Sequence, residues 1–347
     1  MELLIAGLSL GALGLIFGLL LGVTGRIFAV PENKQLTDVR QALPGANCGG
    51  CGYPGCDGFA AAVVEGKAPV SGCPVGGAPV AQRIAEIMGV EAGTAEKKVA
   101  TVICRGGTNY CLPKYEYQGV QDCIAASMVS DGTKSCHYAC LGFGTCATVC
   151  QFGAISIDER FRLVQVDRDL CTGCGLCIEI CPKHVLSLQP IVQPVRLLCH
   201  ANEKGRVITD NCKAGCFSCG KCVEACHFGA IEMVNNLPVI DQEKCVGCMM
   251  CAEVCPTDAI WADYENRKEA VIDKEGCIGC GLCKKNCPFD AIVGERRQKH
   301  SITNACTGCG QCVPKCPKNV ITMRTRTQPR DEYEQMDEAV GHDAPLP

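Results

Sequence analysis

The chain has 347 residues, 33 of them cysteine, only 5% aromatic side chains and a formal net charge of −4. So many thiols with so few bulky rings exclude one large apolar core and imply several small domains that fold around metal. The acidic balance, without a basic domain or an aromatic platform, excludes nucleic acid as a partner.

The first element is an apolar run from Leu3 to Val23 that carries no charge and one hydroxyl, Ser9. At 1.5 Å per residue it is long enough, as a helix, to cross the ~30 Å hydrocarbon layer, which predicts a transmembrane anchor over residues 1–25. A cleaved signal peptide would start with basic residues and be shorter, whereas Glu2 precedes this run. Arg26, Lys34 and Arg40 all follow the run and no Lys or Arg precedes it. That asymmetry predicts a single-pass protein of the cell membrane with its remaining domains on the cytoplasmic side. Gly7, Gly11, Gly14, Gly18 and Gly22 share one face of the helix, the small-residue stripe that lets another membrane helix pack closely.

The next segment, residues 32–95, holds Cys48, Cys51, Cys56 and Cys73 in the pattern CGGCGYPGC…CP. The glycines at 49, 50, 52 and 55 allow the backbone to wrap tightly and turn N–H groups toward sulfur. Ala60–Ala68 and Ala78–Met88 have helix-forming composition, giving a small helical domain around one cluster. A zinc site is the alternative.

Beyond residue 96 the spacing C-x2-C-x2-C-x3-C recurs at Cys171/174/177/181, Cys216/219/222/226, Cys245/248/251/255, Cys277/280/283/287 and Cys306/309/312/316. Four cysteines in one short run suit iron–sulfur ligation. Zinc sites come as two separated pairs, and disulfide frameworks rarely repeat this spacing. Each quartet precedes a short tail such as PKHVLSL or PTDAIWA, which predicts a helix leaving the cluster loop and then a strand. In two-cluster ferredoxins the fourth cysteine of one motif ligates the other cluster, so motifs count in pairs.

Pairing from residue 216 onward leaves Cys171–Cys181 needing an upstream partner, and the altered quartet Cys136-x3-Cys140-x5-Cys146-x3-Cys150 supplies one. The crossed sets are then explicit. Cys136, Cys140, Cys146 and Cys181 hold one cluster, and Cys171, Cys174, Cys177 and Cys150 the next. Cys216, Cys219, Cys222 and Cys255 pair with Cys245, Cys248, Cys251 and Cys226. Cys277, Cys280, Cys283 and Cys316 pair with Cys306, Cys309, Cys312 and Cys287.

With the first quartet this makes seven [4Fe–4S] clusters from 28 cysteines. The expected architecture is α+β and multidomain: one N-terminal transmembrane helix, a small helical Fe–S domain, then three tandem two-[4Fe–4S] ferredoxin-like units. Their boundaries are 96–192, 193–265 and 266–325, and residues 326–347 form an acidic, apolar-poor tail of disordered composition. Proline follows the fourth cysteine at Pro182, Pro256, Pro288 and Pro317; Gln151 and His227 stand there in two motifs, as cluster-tuning donors or as tolerated variants.

A glycine-rich membrane helix, then CGGCGYPGC…CP, then YQGVQDCIAASMVSDGTKSCHYACLGFGTC, then ferredoxin repeats closely resembles the B subunit of the Rnf complex, in its long polyferredoxin form. The resemblance covers nearly the whole chain. It implies an electron-transfer subunit of a membrane ion pump, taking electrons from soluble reduced ferredoxin toward sister membrane and flavin subunits that lead to NAD⁺. A polyferredoxin of a hydrogenase-type membrane complex is the other reading, and it need not carry the 48–73 quartet. No nucleotide-binding loop and no nucleophile with a paired base is present, so chemistry beyond one-electron transfer has no home on this chain.

Cys104, Cys111, Cys123, Cys199 and Cys212 belong to no quartet. They could supply an eighth cluster, lie buried as apolar thiols, or form a redox-active disulfide. Arg296, Arg297, Lys299, Arg324, Arg326 and Arg330 gather positive charge in and after the last unit, either a docking face for an acidic ferredoxin or a solvated surface. Trp261 and the six histidines form no constellation and read as packing or surface residues.

Overall fold

The computed structural model of the chain describes residues 2–28, 33–93 and 96–326. The tail from residue 327, with Arg330, lies outside the described residues. Two compact units result, Met1–Ala95 and Glu96–Pro347.

In the first unit, α1 (Glu2–Ile27) is the one described helix long and apolar enough to cross a membrane. A Cβ added at Gly7, Gly11, Gly14, Gly18 or Gly22 would meet nothing within 4 Å. Three short helices follow: α2 (Lys34–Ala42), α3 (Gly55–Val64) and α4 (Gly77–Met88). Composition gave no sign of α2, which starts where the Asn33 side chain accepts from the Gln35 amide at 3.1 Å. The helix expected over 60–68 begins instead at Gly55 and stops at Val64, so Cys56 lies in its first turn. Asp57 favours that start, and Gly66, at φ +72°, turns the chain away. Val39, Phe59, Val63 and Ile84 fill the core, with Cys51, Cys56 and Cys73 packed against it.

The second unit repeats one nested pattern three times. Strands β1 (Lys98–Val102) and β4 (Leu186–Pro190) pair antiparallel around the hairpin of β2 (Ile155–Asp158) and β3 (Leu163–Val166). Next, β5 (Val195–Leu197) pairs with β8 (Ile260–Ala262) around β6 (Ile231–Val234) and β7 (Leu237–Ile240). Finally, β9 (Lys268–Ile272) pairs with β12 (Ile321–Thr325) around β10 (Ile292–Val293) and β11 (Ser301–Ile302). The β6–β7 turn uses Asn235 and Asn236, both at positive φ, the geometry that a two-residue hairpin loop requires.

Inside most motifs lies a helix of one turn: α6 (Thr145–Thr148), α7 (Leu176–Glu179), α9 (Lys221–Glu224), α10 (Met250–Glu253) and α11 (Leu282–Lys285). Each carries the motif's third cysteine and ends before the fourth. The helix expected to leave the cluster loop is therefore not in the tail. Proline after the fourth cysteine cannot continue a helix, and the tail turns instead through a left-handed residue: Gly153, His184, Gly229, Asp258, Asp290 or Asn319. The last motif forms only turns, because Pro314 removes a helical donor between Cys312 and Cys316. Two further helices, α5 (Cys123–Ser127) and α8 (Arg206–Asn211), lie outside these motifs.

The cores are thin and made of small residues, such as Val99, Val102, Val164 and Val185 around the first hairpin. Each buried valine contributes on the order of 1.5 kcal/mol, while every ordered loop residue costs about 1–2 kcal/mol. Folding of such loops depends on what the thiols bind.

Candidate iron–sulfur centres

The local backbone explains why thiols converge. A residue in the left-handed region precedes each one-turn helix and swings the third cysteine back toward the loop before it: Gly144, Gly175, Gly220 and Gly281, and at one place Met249. In two motifs the glycine one residue before the second cysteine closes on a neighbouring strand. A Cβ on Gly308 would stand 1.9 Å from the Lys268 carbonyl oxygen, and one on Gly173 would stand 2.3 Å from that of Lys98. These glycines lay the cluster loop directly on the strand that begins the first and the third repeat.

In the first unit the Cys73 thiol is pushed up by burial, and the sulfurs of Cys51, Cys56 and Cys48 repel its ionised form. The four thus face one another. The Gly76 amide donates to the Cys73 sulfur at 3.3 Å. Gly49, Gly52 and Gly55 take positive φ, so three of the four expected glycines make the tight wrap.

In the second unit, burial pushes Cys177 up to about 12, with Cys171, Cys174 and Cys150 as its charged neighbours. Cys222 faces Cys219 and Cys255. One cavity is lined by Cys216, Cys219, Cys222 and Cys255 together. Cys248 faces Cys245 and Cys226, and Cys251, raised to about 12 by burial, faces Cys248 and Cys245. Another cavity is lined by Cys277, Cys280, Cys283 and Cys316. Cys312 faces Cys306, Cys309 and Cys287. In each of these sets the fourth thiol comes from the other motif of its repeat.

The altered motif is arranged differently from the others. Cys146 has Cys140, Cys123, Cys181 and Cys177 as thiol neighbours, whereas Cys136 has Cys104, Cys111 and Cys199.

These sites fit iron–sulfur clusters rather than single ions. Among the described residues no three His, Cys, Asp or Glu side chains converge closely enough to grip one metal ion. Four thiolates on one zinc would stand about 4 Å apart; a four-iron cube spreads them wider. Backbone N–H groups are already directed at sulfur, from Ala100 to Cys171 at 3.3 Å and from Ala230 to Cys226 at 3.4 Å. Such bonds help set cluster potential. Burial disfavours the thiolate at Cys73, Cys177 and Cys251, a cost that iron coordination offsets.

His300 was not legible as a site residue. It is 1% exposed, its Nδ1 has no hydrogen-bond partner, and it lines the Cys277/280/283/316 cavity. Only the fold brings it there. His227 packs edge-on to Phe289 at 5.2 Å, joining the second repeat to the third. Trp261 carries the Arg196 guanidinium 3.9 Å above its ring. Arg296, Arg297 and Lys299 are exposed, whereas Arg324 and Arg326 both pair with Glu269.

A succession of four-cysteine sets, in the second unit spanning two motifs each, defines an iron–sulfur electron-transfer protein. Residues 43–75 match the family profile described as "Putative Fe-S cluster". Residues 132–185, 215–259 and 244–291 match one described as "4Fe-4S dicluster domain", and 270–323 a second of that description. The chain is 49% identical over 259 residues to the B subunit of the Na(+)-translocating ferredoxin:NAD(+) oxidoreductase complex of Acetobacterium woodii, covering 75% of this chain and 78% of that one. It is 44% identical to the B subunit of the ion-translocating oxidoreductase complex of Methanosarcina acetivorans, over 72% of this chain and 95% of the other. With the B subunit of the proton-translocating ferredoxin:NAD(+) oxidoreductase complex of Clostridium ljungdahlii it shares 41% identity, over 72% and 89% of the two chains. The chain belongs to the family of B subunits of ion-translocating oxidoreductase, or Rnf, complexes.

Proposed function

We propose that this chain is the electron-transfer subunit of a membrane ion-translocating ferredoxin:NAD⁺ oxidoreductase. It takes electrons from reduced ferredoxin and relays them toward the membrane and flavin subunits that lead to NAD⁺. Bound [4Fe–4S] clusters supply one-electron transfer at potentials that span about −700 to +450 mV across such proteins. The chain's own part is to hold the clusters by thiolate, to direct N–H groups at sulfur and to keep water from the buried thiols.

The single observation that carries this reading is contiguity. Cys146 neighbours Cys177, Cys251 neighbours Cys222, and Cys248 neighbours Cys309, so thiol sets of successive motifs and repeats meet without a gap at those points. The seven sets proposed are Cys48/51/56/73 and six crossed sets in three tandem two-cluster units over 96–192, 193–265 and 266–325, the first crossed set built on Cys140, Cys146 and Cys181. The strand nesting supports those boundaries. A hydrogenase-type polyferredoxin is disfavoured by the match over residues 43–75, which lies in the quartet such a protein need not carry.

On this reading α1 anchors the chain with its clusters on the cytoplasmic side, and its open glycine face receives a helix of a sister subunit. Gly14→Leu with Gly18→Leu would then release the chain from its complex while leaving it membrane-bound, as read by co-purification. Exposed Arg296, Arg297 and Lys299 would steer an acidic ferredoxin.

Mixing the anaerobically prepared protein with chemically reduced ferredoxin tests the function. Rapid bleaching of cluster absorbance is expected, slowed by added salt and by reversing charge at Arg296 and Arg297. No bleaching would refute the relay; bleaching indifferent to those charges would put docking elsewhere.

A further inference from the structure

Four of the cysteines outside the regular quartets meet in one place. Cys104 follows β1, Cys199 follows β5, and Cys212 ends α8. With Cys136 they line one cavity, whose other walls are mostly apolar or small residues such as Leu198, Ile208 and Ala139, with Arg105, Tyr138 and His200 among them. Two other cavities are likewise lined by four cysteines, Cys277/280/283/316 and Cys216/219/222/255. The thiols also feel one another: Cys104 has Cys199 beside it, Cys136 has Cys104 and Cys199, and Cys212 has Cys104.

The surroundings are built as at the other centres. The Gly106 amide donates to the Cys104 sulfur at 3.3 Å, and the amides of Tyr138 and Ala214 turn to the sulfurs of Cys136 and Cys212. The Lys134 ammonium is buried beside Cys104 and held by the carbonyls of Gly106 and Arg162 at 2.7 and 3.0 Å. A fixed cation there offsets the negative charge that four thiolates bring.

Resting on the function proposed above, we infer that Cys104, Cys136, Cys199 and Cys212 hold an eighth [4Fe–4S] cluster. Cys123 then takes the position that spacing assigned to Cys136, beside Cys140, Cys146 and Cys181. Cys123 stands next to Cys146, and its amide donates to the Thr145 hydroxyl at 2.7 Å, one residue from Cys146. Eight sets of four leave Cys111 as the one cysteine of the 33 without a cluster. Its sulfur accepts from the Cys136 amide at 3.3 Å and lies within hydrogen-bonding reach of Cys212, a supporting position behind the site.

The location gives the site a purpose. Cys104 accepts from the Cys140 amide on one side, and Cys199 neighbours Cys216 on the other. The site therefore joins the first repeat to the second, a junction the seven sets leave open. It accepts one electron from the first repeat's cluster and passes one to the second, with no bond or proton exchanged.

The test compares the intact wild-type chain with Cys199→Ser/Cys212→Ser and with Cys111→Ser, all prepared anaerobically. Iron and acid-labile sulfide analysis and native mass spectrometry are the readouts. The double variant should lose about four irons and four sulfides and the mass of one cluster, and Cys111→Ser should lose none. In the double variant, electron transfer from the first repeat to the second should slow at least tenfold in freeze-quenched paramagnetic spectra, while the remaining clusters still reduce. A wild-type chain with seven clusters, or a double variant with undiminished iron, would overturn the eighth site and leave the relay intact. So would a loss in Cys111→Ser equal to that of the double variant. A disulfide between Cys111 and Cys212 in the wild-type chain would overturn it too.

Discussion

Gly308 shows how a single hydrogen sets a cluster loop. Its φ is +76°, and a Cβ there would stand 1.9 Å from the backbone oxygen of Lys268. Backbone cannot yield as a flexible side chain can, so Gly308→Ala should cost several kcal/mol, well above the ~1 kcal/mol of an ordinary glycine replacement. The expected result is a third repeat that no longer retains its iron, read as about eight irons lost per chain. His300 makes a gentler case. Buried and with Nδ1 unpartnered against the Cys277/280/283/316 cavity, it is placed to give an N–H bond to cluster sulfur. His300→Phe should leave iron content unchanged and lower one reduction potential by tens of millivolts in a redox titration. Unchanged potentials would mean that His300 only packs.

Among the short elements, α5 is the most exposed to one substitution. Asp122 caps it, accepting from the amides of Ile124 and Ala125 at 2.8 and 2.9 Å, and also accepts from the Thr145 hydroxyl at 2.7 Å. Asp122→Ala should therefore cost about 0.5–2 kcal/mol and loosen Cys123 against Cys146. A drop in melting temperature with early loss of one cluster is the expected reading. Asp131 gives the loop after α5 a pH dependence. The Lys183 ammonium bonded to Asp131 holds its carboxyl below the usual carboxylate range, with His137 adding to the effect. A carboxyl depressed in the folded state stabilises fully above its unfolded value, about 3.9, and the contribution fades as pH falls through the lower folded value. Asp131→Asn should remove that acid limb from the melting curve and leave the curve near neutrality only slightly lowered.

At this scale the sequence was informative where ligation fixes spacing. Repeated quartets and their tails announced the loops and strands, because every motif needs the same left-handed turns. Helix placement was less legible: proline and the tight cluster loop hold each helix to one turn inside the motif, where no 3.6-residue period can develop. Cys104, Cys199 and Cys212 stood out in the sequence as spare thiols, but their grouping was not legible, for a related reason. They come from three separate segments, and only the strand pairing of the first two repeats brings them together.

Over the whole second unit, thiol sets run from Cys177 through Cys146, Cys104, Cys216, Cys251 and Cys309, each beside the next. That continuity turns a series of small folds into a conductor, and α1 gives it a place at the membrane. Apolar cores this thin also mean that metal removal should be unfolding. Chelation of the iron should abolish most of the cooperative melting transition rather than leave folded apoprotein. The central claim, a row of iron–sulfur clusters able to carry electrons singly, is tested most directly by anaerobic redox titration of the intact chain followed by electron paramagnetic resonance. The account predicts a brown protein that takes up at least seven electrons in overlapping one-electron steps, with interacting signals from neighbouring clusters. A colourless chain that carries zinc and stays silent on reduction would contradict it.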